Sequence, residues 1–289
     1  MIERRHQSER PTWHAACDLV TVVDANPVNG AALALLFEGF NRVYRGWSDR
    51  MTVLQPAGEV SAELMATLRS YAVARFVAPC DHADDPYRVK FLLVDYVRAM
   101  KRSTRTLLYL DPDHLVLGPF PAHPPTGSIQ VSSEVKGLPG PLAAKLRELV
   151  RGGPSRLRHF NTSFIAADYQ SWDRVVRRWE TIYQAIRPLT EARHREEIAF
   201  CVAALSEGLD VTPVGNEVQG SMADTHPAAA LFHYGGEHPE ARKVKACLGG
   251  PMAAIPALEQ LWSGSLPGSR ARWMSERALG ILRDAGPLA

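Results

Sequence analysis

The 289-residue sequence contains no apolar run near the roughly 20 residues that a helix needs to cross a bilayer. A membrane-spanning helix is therefore not expected. Cysteine is scarce: Cys17, Cys80, Cys201 and Cys247 are scattered, and no C-x-x-C pair occurs. That argues against a disulfide framework or a structural zinc site, and for a reducing compartment. No charge of one sign dominates. Thirty-three Lys and Arg against 31 Asp and Glu leave a formal net charge of +2, so charge implies no nucleic acid or other polyanion as partner. The opening MIERRHQSERPTWHAACDL carries charge with no apolar stretch behind it, unlike a signal peptide. Internal repeats and low-complexity segments are missing too. These absences predict a soluble, cytoplasmic protein. Its length allows a sizeable core, in one large domain or one domain with an appendage.

What is present alternates. DLVTVVDA (Asp18–Ala25), RMTVLQP and ARFVAPC read as strands, separated by the helix-like GAALALLFEGFNRVY (Gly30–Tyr44) and SAELMATLRSYA. This alternation predicts an α/β fold with a largely parallel sheet. DDPYRVKFLLVDYVRAMKRS opens with Asp85 as N-cap and Pro86 at the first helical position. Val89, Leu92, Leu93, Tyr96, Val97 and Met100 follow at helical spacing, with Arg88, Lys90, Asp95 and Arg98 off that face. RTLLYLDPDHLVLGPF supplies a fourth strand. Beyond it FNTSFIAA (Phe160–Ala167) reads as a strand, SWDRVVRRWETIYQAI and EEIAFCVAALSEG as helices, and ALFHYGGEHPEARK as a strand ending in a glycine loop. The tail from Pro251 reads as two short helices. A division at about 250 is expected, into residues 1–250 and a helical extension, 251–289.

The fourth strand ends in two carboxylates, Asp111 and Asp113. Side chains at i and i+2 of an extended segment point to one side. The pair can therefore converge beyond the C-terminal end of a buried strand, where ligands bind in open α/β sheets. Two carboxylates there repel unless a cation or a proton intervenes. Mg²⁺ or Mn²⁺, shared with the phosphates of a nucleotide, fits their oxygen ligands. The other reading is a plain Asp-Pro-Asp turn.

The surroundings YRVKFLLVDYV and TRTLLYLDPDHLVL resemble the D-x-D region of nucleotide-sugar glycosyltransferases of the GT-A fold, above all glycosyltransferase family 8. HFNTSFIAADYQSW is similar to that family's F-N-x-G segment, REEIAFCVAAL to its D-Q-x-x-L-N helix, and LFHYGGEHP to its H-Y-x-G-x-x-K-P loop. The four matches fall in the family's order. The resemblance implies a GT-A-like, Rossmann-type sheet flanked by helices. It also implies transfer of a hexose from a nucleotide-diphosphate sugar, a UDP-sugar ahead of a GDP-sugar, to an acceptor that no motif identifies, with retention.

Site residues carry over one by one. The resemblance places Asp111, Asp113 and His233 on the metal, with Asp111 also near the sugar nucleotide. It places Asp24 and Asn26 at the nucleoside, Arg88 at the donor and Asn161 beside the donor sugar. In place of D-Q stand Glu196 and Glu197, which sets Glu197 beneath the anomeric carbon and Glu196 at the sugar hydroxyls. The same two residues also suit a helix N-terminus, where carboxylates favour the dipole. The glycine after F-N-x is Phe164 or Ser163 here. The loop lysine that would hold the diphosphate is missing beyond Gly236, and His238 or Lys243 is the expected substitute.

Two other functions carry part of the pattern. One is a non-catalytic sugar-nucleotide-binding relative. The other is a haloacid-dehalogenase-like phosphatase, which would use Asp111 as nucleophile but expects Thr or Val where Leu115 stands. In the tail, Arg270, Arg272, Arg277 and Arg283 lie among Trp273, Met274, Leu279, Ile281 and Leu282. Such a helix either lies on an anionic membrane or packs its apolar side on the domain.

Overall fold

A computed structural model describes residues 10–24, 27–58, 61–81, 85–100, 105–121, 126–133, 135–136, 138, 140–146, 158–190, 192–221, 229–235, 238–248 and 251–285. The first half alternates as the sequence implies: β1 (Cys17–Val22), α1 (Pro27–Val43), β2 (Met51–Pro56), α2 (Ala62–Ser70), β3 (Ala74–Ala78), α3 (Leu92–Ala99), β4 (Thr106–Leu110) and β5 (His114–Val116). There follow β6 (Ser128–Val131), β7 (Val135–Lys136), α4 (Gly140–Leu146), β8 (His159–Phe160), β9 (Phe164–Asp168), α5 (Tyr169–Ile186), α6 (Ala192–Ser206), β10 (Asp210–Pro213), β11 (Gln219–Ser221) and β12 (Leu231–His233). The chain closes with α7 (Pro239–Cys247), α8 (Pro251–Gly264) and α9 (Arg270–Ala285).

The main sheet runs β10-β6-β9-β4-β1-β2-β3, and β9 is antiparallel to both of its neighbours while the other pairings are parallel. Helices cover both faces, which is why its inner strands read as continuous apolar runs. On β4, Leu107 and Tyr109 face a core with α3, α5 and α6, whereas Leu108 and Leu110 face one with α1 and α2. The run needs no alternation with polar residues, because both sides are buried. The fold is the expected α/β arrangement: a mostly parallel sheet flanked by helices, with helices at its C-terminal end.

Three differences from the sequence reading bear on the site. The segment expected as one helix from Pro86 winds as a 3-10 helix over Pro86–Phe91 before α3 begins. Asp85 caps it as expected, accepting from the Tyr87 amide at 3.1 Å. Phe160–Ala167, expected as one strand, divides into β8 and β9 with a corner at residues 161–163. The helix expected from Glu196 starts earlier, at Ala192, so Glu196 and Glu197 lie inside it.

A second sheet, β11-β12-β5, sits at the C-terminal edge of β4. It forms because the chain leaves β4 through Asp111-Pro112-Asp113 and enters β5 at once. Antiparallel pairing of β5 with β12 sets His114 opposite His233. The helices α7, α8 and α9 bury Ala241, Val244, Leu258, Met274, Ala278 and Ile281 against α1 and this second sheet. The apolar side of α9 is thus turned into the protein. No helix among the described residues is long and apolar enough to cross a membrane.

Candidate active site

The corner after β4 is held by its backbone. The Asp111 amide donates to the Ser163 carbonyl at 2.8 Å, and the Tyr234 amide to the Asp113 carbonyl at 3.1 Å. These bonds tie the two aspartates to the start of β9 and the end of β12. Asp111, Asp113 and His233 thereby converge, with one ligand atom from each within 4.8 Å of the others. His233 Nε2 lies 3.3 Å from Asp113 Oδ1.

His233 is itself held. The His114 ring stacks on it at a centroid distance of 4.8 Å and an interplanar angle of 22°. His114 Nδ1 is 2.9 Å from the Asp111 carbonyl oxygen and its Nε2 is 2.9 Å from Gln219 Nε2. The carbonyl can only accept and the amide can only donate, so the proton sits on Nδ1. Burial, and then the neighbouring His233, push the His114 pKa down to about 3.

Two lysines reach the aspartates. Lys245, near the end of α7, sets Nζ 2.7 Å from Asp113 Oδ2. Burial opposes ionisation of Asp113, yet the Lys245 ammonium, with His233 next, holds its carboxyl well below the usual carboxylate range. Lys90 lies 3.3 Å from Asp111 Oδ1, 2.8 Å from Glu196 Oε1 and 3.1 Å from Thr162 Oγ1. The Tyr109 hydroxyl also donates to Asp111 Oδ1. Burial disfavours the Lys90 ammonium, but Asp111 and Glu196 together outweigh it and raise the pKa. Glu196 is 1% exposed, and its Oε1 also accepts from Thr162 at 2.8 Å. Burial pushes its carboxyl up to about 7 against the pull of Lys90.

The other residues singled out in the sequence are placed as follows. Asp24 stands beyond the end of β1, at the same sheet edge, and accepts from Asn29 Nδ2. Asn161 occupies the corner before β9, where its Oδ1 accepts from the Ser163 amide at 2.7 Å. Arg88 pairs with Asp81 at 3.8 Å, and the cation beside Asp111 is Lys90. Glu197 meets His159 Nε2 at 2.7 Å and His194 Nδ1 at 3.3 Å, while Glu196 is the glutamate joined to Asp111 through Lys90. His238 caps α7, accepting from the Glu240 amide at 3.3 Å, and Lys243 is exposed on that helix. Asn26 and Gly236 lie outside the described residues. Lys90 and Lys245 are the site cations that the sequence reading did not single out.

The donor set suits a hard divalent cation, which takes carboxylate oxygens and tolerates an imidazole. Asp113 Oδ1 is buried and faces His233 Nε2 at 3.3 Å without a hydrogen bond of good geometry. Buried polar atoms are nearly always satisfied, and one left over calls for an ion or a water. The turn after His233 leaves room. A Cβ on Gly235 would collide with His233 Nε2 and stand 2.6 Å from Asp113 Oδ2, so only glycine keeps that space open. The residues present therefore fit the group.

No family model matches the sequence, and no curated protein matches it. Solved structures do. The galactosyltransferase LgtC, in complex with donor and acceptor sugar analogues, is 13% identical with a TM-score of 0.53, over 92% of this chain and 95% of that one. An active-site glutamine-to-glutamate variant of LgtC matches at 12% identity and a TM-score of 0.52, with the same coverage. The chain has the GT-A-like α/β fold of LgtC along nearly its whole length.

Proposed function

We propose that this protein is a glycosyltransferase that moves a hexose from a nucleotide-diphosphate sugar, a UDP-sugar ahead of a GDP-sugar, to an acceptor. Asp111, Asp113 and His233 hold Mn²⁺ or Mg²⁺, and the anomeric configuration is retained. The observation that carries this reading is the convergence of those three side chains around a buried Asp113 oxygen that makes no hydrogen bond of good geometry, at the C-terminal edge of the sheet. The fold likeness to LgtC favours it over a haloacid-dehalogenase-like phosphatase.

A divalent ion in this site supplies positive charge to the departing nucleotide diphosphate. The chain's own residues do the rest. Lys245, paired with Asp113, turns its ammonium to the diphosphate when the donor arrives. It thus takes the place that the sequence reading left to His238 or Lys243. Lys90 fixes Asp111 and Glu196 in one arrangement. Glu196 then faces the donor sugar, where a preorganised carboxylate stabilises positive charge developing at the anomeric carbon. Asn161 holds the corner that carries Ser163 and Thr162 to the same edge, and Asp24 faces the nucleoside.

One observation favours a second reading. Lys90 and Lys245 already neutralise both aspartates. A sugar-nucleotide-binding protein without turnover would need no more than that. Release of sugar from a panel of nucleotide sugars, read beside thermal shift with Mn²⁺ and with EDTA, separates the two. Transfer chemistry predicts metal-dependent stabilisation together with release of sugar, and simple binding predicts stabilisation without it.

A further inference from the structure

We propose that His159, His194 and Glu197 form a second metal site, selective for a borderline cation of the Zn²⁺ class. It is distinct from the Asp111–Asp113–His233 site. His159 comes from β8; His194 and Glu197 stand one helical turn apart on α6. The three donor atoms lie within 4.8 Å of one another. His159 Nε2 is 2.7 Å and His194 Nδ1 3.3 Å from a single carboxylate oxygen, Glu197 Oε2, and the two rings meet edge to face at 5.3 Å.

The chemistry of the donors sets the preference. Two imidazoles and one carboxylate suit Zn²⁺, whereas two carboxylates and one imidazole suit Mn²⁺ or Mg²⁺. Zn–N and Zn–O bonds of about 2.0–2.2 Å in a tetrahedron put ligand atoms about 3.3–3.5 Å apart. The His194–Glu197 separation already has that value. The His159 nitrogen needs to retreat by less than about 1 Å, within the reach of a side-chain rotation.

The frame is rigid. Trp179 Nε1 donates to the Glu196 carbonyl at 3.0 Å, which fixes the turn of α6 that carries Glu197. His159 and Glu197 are buried, and the His194 side chain is 25% exposed, which leaves a route for the ion. Three protein ligands are the number found where a fourth position stays open to water or substrate. This site needs no C-x-x-C pattern, which is why cysteine spacing gave no hint of it. It also stands whether or not the protein transfers a sugar.

The test is calorimetric titration of the full chain with Zn²⁺ in excess Mg²⁺, repeated with Co²⁺ to read its visible absorption. The expected result is one Zn²⁺ per chain, with the intense bands of four-coordinate Co²⁺, unchanged in Asp113→Asn. His194→Ala should weaken Zn²⁺ by more than the roughly 10–100-fold typical of losing an outer-shell partner. His159→Gln keeps a donor to Glu197 and so preserves the local fold, and it should weaken Zn²⁺ equally. No Zn²⁺ binding would overturn the proposal. So would Zn²⁺ that survives in His194→Ala and disappears in Asp113→Asn, because it would then belong to the first site.

Discussion

Lys245 Nζ lies 2.7 Å from Asp113 Oδ2 across 132 residues of sequence. The ammonium competes with any cation for the carboxylate, yet the same group is well placed for an incoming diphosphate. Lys245→Met is therefore expected to act in opposite directions on two ligands. Mn²⁺ alone should bind several-fold more tightly, and a nucleoside diphosphate with Mn²⁺ at least about tenfold more weakly, a change of about 1.4 kcal/mol. Calorimetry of both ligands checks this, and parallel changes would contradict the exchange.

Asp113→Asn removes a charged ligand while keeping the volume. Stabilisation by UDP or GDP with Mn²⁺ should disappear in thermal shift. Breaking a fully buried pair costs about 3–5 kcal/mol. The Lys245 side chain is 30% exposed and can turn to water, so the loss of metal-free stability should be smaller. Unaltered nucleotide affinity in this variant would return Asp111-Pro112-Asp113 to a simple turn.

Lys90 is the more structural of the two lysines. Above about pH 7, where Glu196 is ionised, Lys90→Met strands Asp111 and the buried Glu196 without their shared cation, and should cost about 3–5 kcal/mol in urea unfolding. Adding Glu196→Gln removes one of the stranded charges and should recover part of that loss. A double mutant no more stable than Lys90→Met would show that the lysine supports the fold in some other way.

Glu196 also sets a pH dependence. Its carboxyl is raised by burial from 4.5 to about 7, so between those values the folded state holds a proton that the unfolded state has released. Stability must then fall as pH rises through that window. Glu196→Gln should flatten this slope, read as the urea midpoint against pH. An unchanged slope would assign it to another group.

On α9, Met274 and Ile281 are fully buried. Met274→Ala should therefore cost about 2–5 kcal/mol, and the wild-type protein should not pellet with anionic vesicles at low salt. Pelleting would show that the helix can release its apolar side to a membrane.

The main sheet was legible because strand and helix periods alternate cleanly from β1 to β4, and because the D-x-D corner sits at the edge where such sheets bind ligands. His233 was readable only through the resemblance of LFHYGGEHP to the H-Y-x-G-x-x-K-P loop. Lys90 was not. The sequence pattern was read with an α-helical turn of about 100° per residue, but Pro86–Phe91 winds as a 3-10 helix at about 120°. Over four residues the difference is roughly 80°, enough to swing a side chain from a solvent face to the core. Lys245 is not legible from the loop pattern, because the chain supplies this cation from α7, beside the buried Ala241 and Val244. Adjacent positions on one helix diverge by about 100°. That is why Glu196 and Glu197 serve different clusters, which the two letters alone do not disclose.

Donor hydrolysis is the most direct measurement, since it needs no knowledge of the acceptor. Each nucleotide sugar of a panel is incubated with the protein and Mn²⁺, and the released sugar is quantified for the wild type, Asp113→Asn and His233→Ala. At least one donor should be cleaved by the wild type, with the activity lost in EDTA and reduced at least about a hundredfold in both variants, or about 2.7 kcal/mol of barrier. No hydrolysis of any donor, or hydrolysis that persists in EDTA and in both variants, would contradict a metal-assisted transferase site at Asp111, Asp113 and His233.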